Sequence, residues 1–109
     1  MFFFLSSCQP EPVNPPATGP LRDTTILNMA YGTDPAQKLD LGLPANRTTN
    51  TSLVVVIHGG GWATGDKAEL NWLLNGLKAR GFAVANINYR LTLNTTDNYK
   101  MQLDDVDSA

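Results

Sequence analysis

Three consecutive glycines between a histidine and a tryptophan are the residues best suited to chemistry in this chain. They occupy residues 58–62, which read HGGGW, and they follow the apolar segment 53–57, which reads LVVVI. Glycine allows the backbone to turn sharply, so that several N–H groups can point at one place. A group of converging N–H donors binds negative charge. The pattern therefore predicts an anion-binding turn at the end of a strand.

Three kinds of site use such a turn. A nucleotide P-loop requires Lys followed by Ser or Thr, and Asp66 and Lys67 stand at those positions instead. A dinucleotide fingerprint requires glycine where Thr64 stands and an acidic residue after the next strand, where the sequence reads NIN at 86–88. The remaining chemistry is an oxyanion hole, whose N–H groups stabilise the negative oxygen formed in acyl transfer. A glycine turn without a ligand is the open alternative.

The segments around this turn alternate between strand and helix. The β-branched run 53–57 predicts a strand buried on both faces, as in a parallel sheet covered by helices. Asp66 can cap a helix over 67–80, and Gly81 can end it. A second strand is predicted at 82–88, which makes a βαβ unit of the α/β class. The helix should pack on the sheet through Leu70, Leu73, Leu74 and Leu77, and should expose Lys67, Lys78 and Arg80.

Shorter elements flank the βαβ unit. Residues 24–31 and 38–43 are predicted to form an antiparallel hairpin at one edge of the sheet, joined by the turn sequence GTDP. A second helix should begin near Asn98, with Tyr99, Leu103 and Val106 on its apolar stripe. Arg90 could pair with one of the two neighbouring carboxylates, Asp104 or Asp105, and so tie the second strand to this helix, and a solvated charge is the alternative.

Residues 53–62 resemble the strand and HGGG loop of α/β-hydrolase esterases and lipases. The resemblance continues over the rest of the chain in four blocks, namely GDK at 65–67, ARGFAV at 79–84, NYRL at 88–91 and DDV at 104–106. It implies that residues 23–109 form the amino-terminal, incomplete part of an α/β-hydrolase sheet, with an edge hairpin followed by parallel central strands.

The resemblance also implies roles for the loop residues. The N–H groups of Gly60 and Gly61 would form the oxyanion hole, and Gly59 would shape the turn. His58 would orient the loop, because the triad histidine of the family lies near the end of the domain. Trp62 would pack or form a pocket wall. The resemblance implies no metal and no cofactor.

The implied activity is hydrolysis of a carboxylic ester through a serine acyl-enzyme, with a small-molecule, polysaccharide or lipid ester as substrate. The nucleophile elbow G-x-S-x-G does not occur in this sequence. We therefore expect the chain to be the amino-terminal part of the enzyme and to be inactive alone. A peptidase of the same fold and a non-catalytic surface lipoprotein are the alternatives.

The beginning of the chain suggests export. Residues 1–8, MFFFLSSC, resemble the end of a bacterial lipoprotein signal, and residues 9–22 contain five of the seven prolines. We expect lipid on Cys8, a proline-rich linker over 9–22, and a membrane-anchored protein in the periplasm or at the cell surface. An incidental thiol is the alternative. The net charge of −2 provides no basic face, so a nucleic-acid partner is not expected.

Overall fold

The computed structural model describes residues 20–92 and 99–109, so Cys8, the predicted leader 1–8 and residues 9–19 of the predicted linker lie outside the described residues. The described elements are strand β1 (Thr24–Ala30), strand β2 (Lys38–Leu43), strand β3 (Leu53–Ile57), a 3₁₀ turn (Lys67–Leu70), helix α1 (Asn71–Ala79), strand β4 (Ala83–Ile87) and helix α2 (Lys100–Ser108). No helix among these residues is long and apolar enough to cross a membrane.

The four described strands form one mixed sheet in the order β1-β2-β4-β3. Strand β2 pairs antiparallel with both β1 and β4, whereas β3 and β4 are parallel. The predicted edge hairpin and the predicted βαβ unit are therefore confirmed, and the chain belongs to the α/β class. Strand β1 carries an irregularity between Ile26 and Met29, where Asn28 adopts a φ of 55°.

Helices cover the sheet through two apolar clusters. Val56, Leu74 and Val84 are buried between the sheet and α1, and the other three predicted leucines of the helix stripe pack against them. On the opposite face, Leu39, Ala85 and Ile87 are buried with Val106 of α2 packed against them. The leucine stripe predicted from the sequence is confirmed.

The prediction that β3 is buried on both faces is wrong for the described residues. Leu53, Val55 and Ile57 are 59%, 46% and 44% exposed. Alternate residues of a strand face opposite sides of a sheet, so Val56 packs toward α1 while these three point the other way. Strand β3 also lies at the edge of the described sheet, where no described element covers that face.

The predicted helix over 67–80 begins as a 3₁₀ turn and becomes α-helical at Asn71. Its ends agree with the sequence. The carboxylate of Asp66 accepts a hydrogen bond from the N–H of Ala68 at 2.8 Å. Gly81 has a φ of 91°, and the N–H groups of Gly81 and Phe82 donate to the carbonyls of Lys78 and Leu77. This pair of bonds is the Schellman ending that glycine favours.

Two of the three basic residues predicted to face solvent do not. Lys67 is only 7% exposed and is bonded to Asp40. The side chain of Lys78 is 12% exposed and bonds Asp23 at 2.7 Å. Only Arg80 is exposed as predicted. The helical stripe could not reveal this, because both carboxylates come from the amino-terminal hairpin region.

The predicted apolar stripe of α2 is also displaced. Tyr99 and Leu103 are 63% and 46% exposed, whereas Gln102 and Asp105 are buried. Only Val106 of the predicted stripe packs against a core cluster. Gln102 faces inward because its Nε2 donates to the carbonyl oxygen of Arg90 at 2.9 Å, and Asp105 faces inward because it binds Arg90 and Gln37, as described below.

Candidate active site

The HGGGW loop leaves the carboxyl end of β3 and runs to the 3₁₀ turn. Gly60, Gly61 and Gly65 have φ angles of 128°, 61° and 104°, which are conformations that favour glycine. A Cβ atom on Gly60 would lie 2.0 Å from the carbonyl oxygen of Thr64. The carbonyl oxygen of Gly60 in turn accepts from the N–H groups of Ala63 and Thr64, at 3.2 and 3.1 Å. The loop thus closes on itself in a shape that a side chain at Gly60 would disrupt.

The N–H groups of Gly60 and Gly61 are available to a ligand. Neither of them donates a hydrogen bond to another atom of the residues that the structure describes. Both glycines are exposed, and a Cβ on Gly61 would meet nothing within 4 Å. The loop borders an open cavity of about 220 Å³, lined by residues 58–62 and Tyr89. Two N–H donors beside an open cavity fit the oxyanion-hole role that the resemblance implies, and that role stays a prediction.

Gly59 differs from the two glycines that follow it. Its φ lies outside the left-handed region, and a Cβ there would meet nothing within 4 Å. The conformation of the loop therefore requires glycine at Gly60 and Gly65, where an added Cβ would clash with the backbone. At Gly65, a Cβ would lie 2.3 Å from the carbonyl oxygen of Gly59 and 2.5 Å from Nδ1 of His58.

His58 lies beneath the loop and is 3% exposed. Its Nδ1 is 2.8 Å from the carbonyl oxygen of Gly59, and since a carbonyl can only accept, Nδ1 carries the hydrogen. The ring stacks on Tyr89, with centroids 4.4 Å apart and planes 11° apart. This placement suits the orienting role implied by the resemblance.

Tyr89, two residues after the end of β4, contacts the start of the loop. Its hydroxyl donates to the carbonyl oxygen of His58 at 2.8 Å. Burial raises the pKa of Tyr89 above its ordinary value. The ring also contacts the edge of Trp62, at a centroid distance of 5.6 Å. Trp62 forms part of the cavity wall, as expected, and its carbonyl accepts from the N–H of Thr92 at 2.8 Å.

Asn88 binds the end of the loop, where the chain enters the 3₁₀ turn. Its Nδ2 donates to Oδ2 of Asp66 at 3.0 Å, and its Oδ1 accepts from the N–H of Lys67 at 2.7 Å. The N–H of Ala68, followed by the amide of Asn88, lowers the pKa of Asp66. Sequence reasoning did not assign Asn88, Tyr89 or Thr92 to the site. The available signal for Asn88 and Tyr89 was the NYRL block at 88–91, which begins at the end of the second predicted strand.

The predicted pairing of Arg90 with a carboxylate is confirmed, and the partner is Asp105. Nη2 of Arg90 lies 2.6 Å from Oδ1, Nε lies 3.0 Å from Oδ2, and the backbone N–H of Arg90 donates to Oδ2 at 2.8 Å. Gln37 adds a bond to Oδ1 at 2.8 Å. Burial by itself raises the pKa of Asp105, but the bonds from Arg90 and Gln37 outweigh it and leave the pKa lowered. Asp104 is exposed.

Tyr31 makes a second link between the hairpin and the segment after β4, beside the link through Gln37. The Tyr31 hydroxyl donates to the carbonyl oxygen of Asn88. Burial, followed by the charge of Asp105, raises the pKa of Tyr31 to about 12. Within residues 20–92 and 99–109, no group of three or more His, Cys, Asp or Glu side chains is arranged to hold a metal ion.

Comparison with known proteins assigns the family. Residues 39–109 match the BD-FAE family model, which covers more than half of the chain. The chain belongs to the BD-FAE family. The match begins within β2 and includes the HGGGW loop, β4 and α2. The structural neighbours of the chain include esterases and a thioesterase of the α/β-hydrolase fold, in agreement with the resemblance of the sequence blocks.

Relatives of this BD-FAE chain include hydrolases of several kinds. Esterase B of Lactobacillus rhamnosis, solved with a tributyrin phosphonate, is 30% identical with a TM-score of 0.65 over 81% of this chain and 29% of that one. Kynurenine formamidase of Salmo salar is 32% identical over 65 residues, 60% of this chain and 22% of that protein. The isoprenylcysteine alpha-carbonyl methylesterase of Arabidopsis thaliana is 38% identical over 63 residues, 58% of this chain and 15% of that protein. The chain spans less than a third of each of these proteins.

Proposed function

We propose that the protein is a carboxylic-ester hydrolase that acts through a serine acyl-enzyme, with the N–H groups of Gly60 and Gly61 as its oxyanion hole. One observation carries the proposal. Two N–H groups without a partner among the described residues border a cavity of about 220 Å³ at the carboxyl end of β3. Family membership supports it, since the similar proteins carry the names of esterases and other acyl hydrolases.

The proposed reaction has two halves. A serine hydroxyl attacks the carbonyl carbon of the ester and passes its proton to a histidine, and the carbonyl oxygen becomes negative. Gly60 and Gly61 donate to this oxygen. When the tetrahedral intermediate collapses, the histidine returns the proton to the departing alcohol. Water then attacks the acyl-enzyme in the same way and releases the acid.

The serine and the triad histidine are required from sequence beyond these 109 residues. The chain contains no G-x-S-x-G, and its single histidine, His58, is buried and bonded through Nδ1 to the Gly59 carbonyl. A histidine held in this way cannot turn toward a nucleophile without giving up its place under the loop. We therefore assign His58 to orientation of the loop.

Enzyme assays on the full-length protein test the activity. We expect p-nitrophenyl acetate and butyrate to be hydrolysed, and we expect a fluorophosphonate to label the elbow serine and abolish turnover. A variant with that serine replaced by alanine is the matched control. Hydrolysis of a peptide or formamide substrate without any ester hydrolysis would move the protein to another hydrolase class. Absence of both labelling and turnover would contradict the proposal and favour a non-catalytic lipoprotein.

We also propose that the protein is exported and anchored by lipid on Cys8. The support comes from the sequence, in which LSSC at 5–8 is followed by the proline-rich stretch 9–22. Expression of the full-length gene in a bacterial host, followed by fractionation and mass spectrometry of the amino terminus, tests this. We expect a diacylglyceryl cysteine in the membrane fraction, and loss of membrane association in Cys8→Ala. An unmodified amino terminus in the soluble fraction would contradict the proposal.

A further inference from the structure

Lys67 is a buried cation that the proposed reaction does not use. Its residue exposure is 7%, and Nζ lies 2.8 Å from Oδ1 of Asp40, itself 3% exposed. Nζ also donates to Oδ1 of Asn28 at 3.0 Å. Burying an ammonium group is costly unless it is paired and hydrogen-bonded, so these contacts make the burial tolerable. The ion pair joins the start of the 3₁₀ turn to the hairpin of β1 and β2.

The backbone of Lys67 is held as firmly as its side chain. Its N–H donates to Oδ1 of Asn88 at 2.7 Å, and its carbonyl accepts from Nδ2 of Asn86 at 2.7 Å. The two asparagines are two residues apart, so they lie on the same side of the extended chain at β4. Every polar group of Lys67 is therefore bonded to the sheet or to the residue that directly follows β4.

The partners of Lys67 are themselves fixed. The N–H of Asn28 donates to the same oxygen of Asp40 at 2.8 Å, and Asn28 adopts its left-handed φ of 55° at the irregularity of β1. Asp40 pairs with Asn86 in the register of β2 and β4. The ammonium of Lys67 thus meets acceptors whose positions are set by three strands.

Lys67 is close in sequence to the HGGGW loop and is connected to it through Gly65. Gly65 lies two residues before Lys67 and packs so closely on the loop entry that an added Cβ would lie 2.3 Å from the Gly59 carbonyl oxygen. Movement of Lys67 would shift Gly65 against Gly59, the residue next to the first proposed donor. A displacement of about 1 Å at a catalytic group can cost about 100-fold in rate.

We propose that the Lys67–Asp40 ion pair is a positioning device that fixes the exit of the HGGGW loop and thereby aims the N–H groups of Gly60 and Gly61. This inference rests on the proposed function. A purely stabilising role could be served as well by apolar residues, because replacing a buried ion pair with apolar groups is often neutral or stabilising. Bonds of fixed direction to Nζ, N and O of one residue instead define where that residue sits.

The test compares the wild-type full-length protein with three variants. Lys67→Met removes the cation and leaves Asp40 buried without its partner. The double variant Asp40→Asn, Lys67→Met removes both charges and so avoids an uncompensated carboxylate. Lys78→Met is the matched control, because it breaks the Lys78–Asp23 pair at 2.7 Å, in which the Lys78 side chain is 12% exposed, without touching the loop. Each form is measured for Tm, for kcat and KM with p-nitrophenyl butyrate, and for amide hydrogen exchange of the peptide covering 58–66.

Positioning and stabilisation predict different results for the double variant. We expect its Tm to exceed that of Lys67→Met, while its kcat stays about 10- to 100-fold below wild type with KM within about threefold. We also expect faster exchange in 58–66 for both Lys67 variants and wild-type behaviour for Lys78→Met.

Wild-type kcat and wild-type exchange in the folded double variant would overturn the inference. If the wild-type protein hydrolyses no ester, the proposed function fails instead. The exchange measurement then still decides whether Lys67 holds the loop, because it needs no turnover.

Discussion

Replacing Gly60 by alanine adds one methyl group at the most crowded point of the HGGGW loop. The new Cβ would lie 2.0 Å from the Thr64 carbonyl oxygen, whereas real Cβ atoms essentially never come closer than 3.0 Å. The loop must therefore open by about 1 Å. The φ of 128° is in addition poorly accessible to alanine, at a strain of about 1 to 3 kcal/mol. Because a misplacement of about 1 Å can cost about 100-fold, we expect kcat to fall by that order.

Two other glycines provide controls for the same chemical change. Gly81 has a φ of 91° at the end of α1, so Gly81→Ala should lower the free energy of unfolding by about 1 to 2 kcal/mol and leave kcat unchanged. Gly76 lies within α1, and a Cβ there would meet only Nη1 of Arg80 at 3.9 Å. Gly76→Ala should therefore raise stability by about 0.5 to 1 kcal/mol.

The assay is steady-state hydrolysis of p-nitrophenyl butyrate by the full-length variants, with thermal unfolding measured in parallel. Loss of kcat confined to Gly60→Ala would support the loop geometry. If Gly60→Ala keeps wild-type kcat, or if Gly81→Ala loses kcat to the same extent, the reasoning from the loop geometry is refuted.

Three further predictions concern the supports of the site. Tyr89→Phe leaves the buried His58 carbonyl without its donor and should cost about 1 to 3 kcal/mol in urea unfolding; no loss would contradict the contact. Leu74→Ala should cost about 2 to 5 kcal/mol, because Leu74 is 3% exposed between α1 and the sheet; a loss under about 1 kcal/mol would argue against that packing. The folded pKa of Asp105 lies below its unfolded value of about 3.9, so its contribution is present above that pH and is lost as pH falls through the folded pKa. The stability difference between wild type and Asp105→Asn should therefore shrink below about pH 4, and a difference independent of pH would refute this assignment.

Local sequence patterns predicted most of the elements. The β-branched run, the leucine spacing and the positions of Asp66 and Gly81 are signals carried by neighbouring residues, and the strands and α1 follow them closely. The HGGG turn was likewise visible, because the triple glycine lies between a predicted strand and a predicted helix. The match to the BD-FAE family model covers residues 39–109, which contain these segments.

Burial and orientation were harder to predict because they depend on distant residues. Lys67 is buried since Asp40, 27 residues earlier, meets its ammonium, and no helical pattern contains that information. The face of α2 that packs on the sheet is not its apolar stripe, because Asp105 is buried and binds Arg90 and Gln37. The exposed face of β3 depends on which elements lie opposite it, and the strand sequence alone does not specify them.

A crystal structure of the full-length protein inhibited by a p-nitrophenyl phosphonate ester tests the central claim most directly. The phosphonyl oxygen imitates the oxyanion of the tetrahedral intermediate. We predict that this oxygen lies 2.7 to 3.1 Å from the backbone nitrogens of Gly60 and Gly61, which is the donor distance expected of an oxyanion hole. A phosphonyl oxygen held by other donors, with the Gly60 and Gly61 N–H groups facing solvent, would contradict the account.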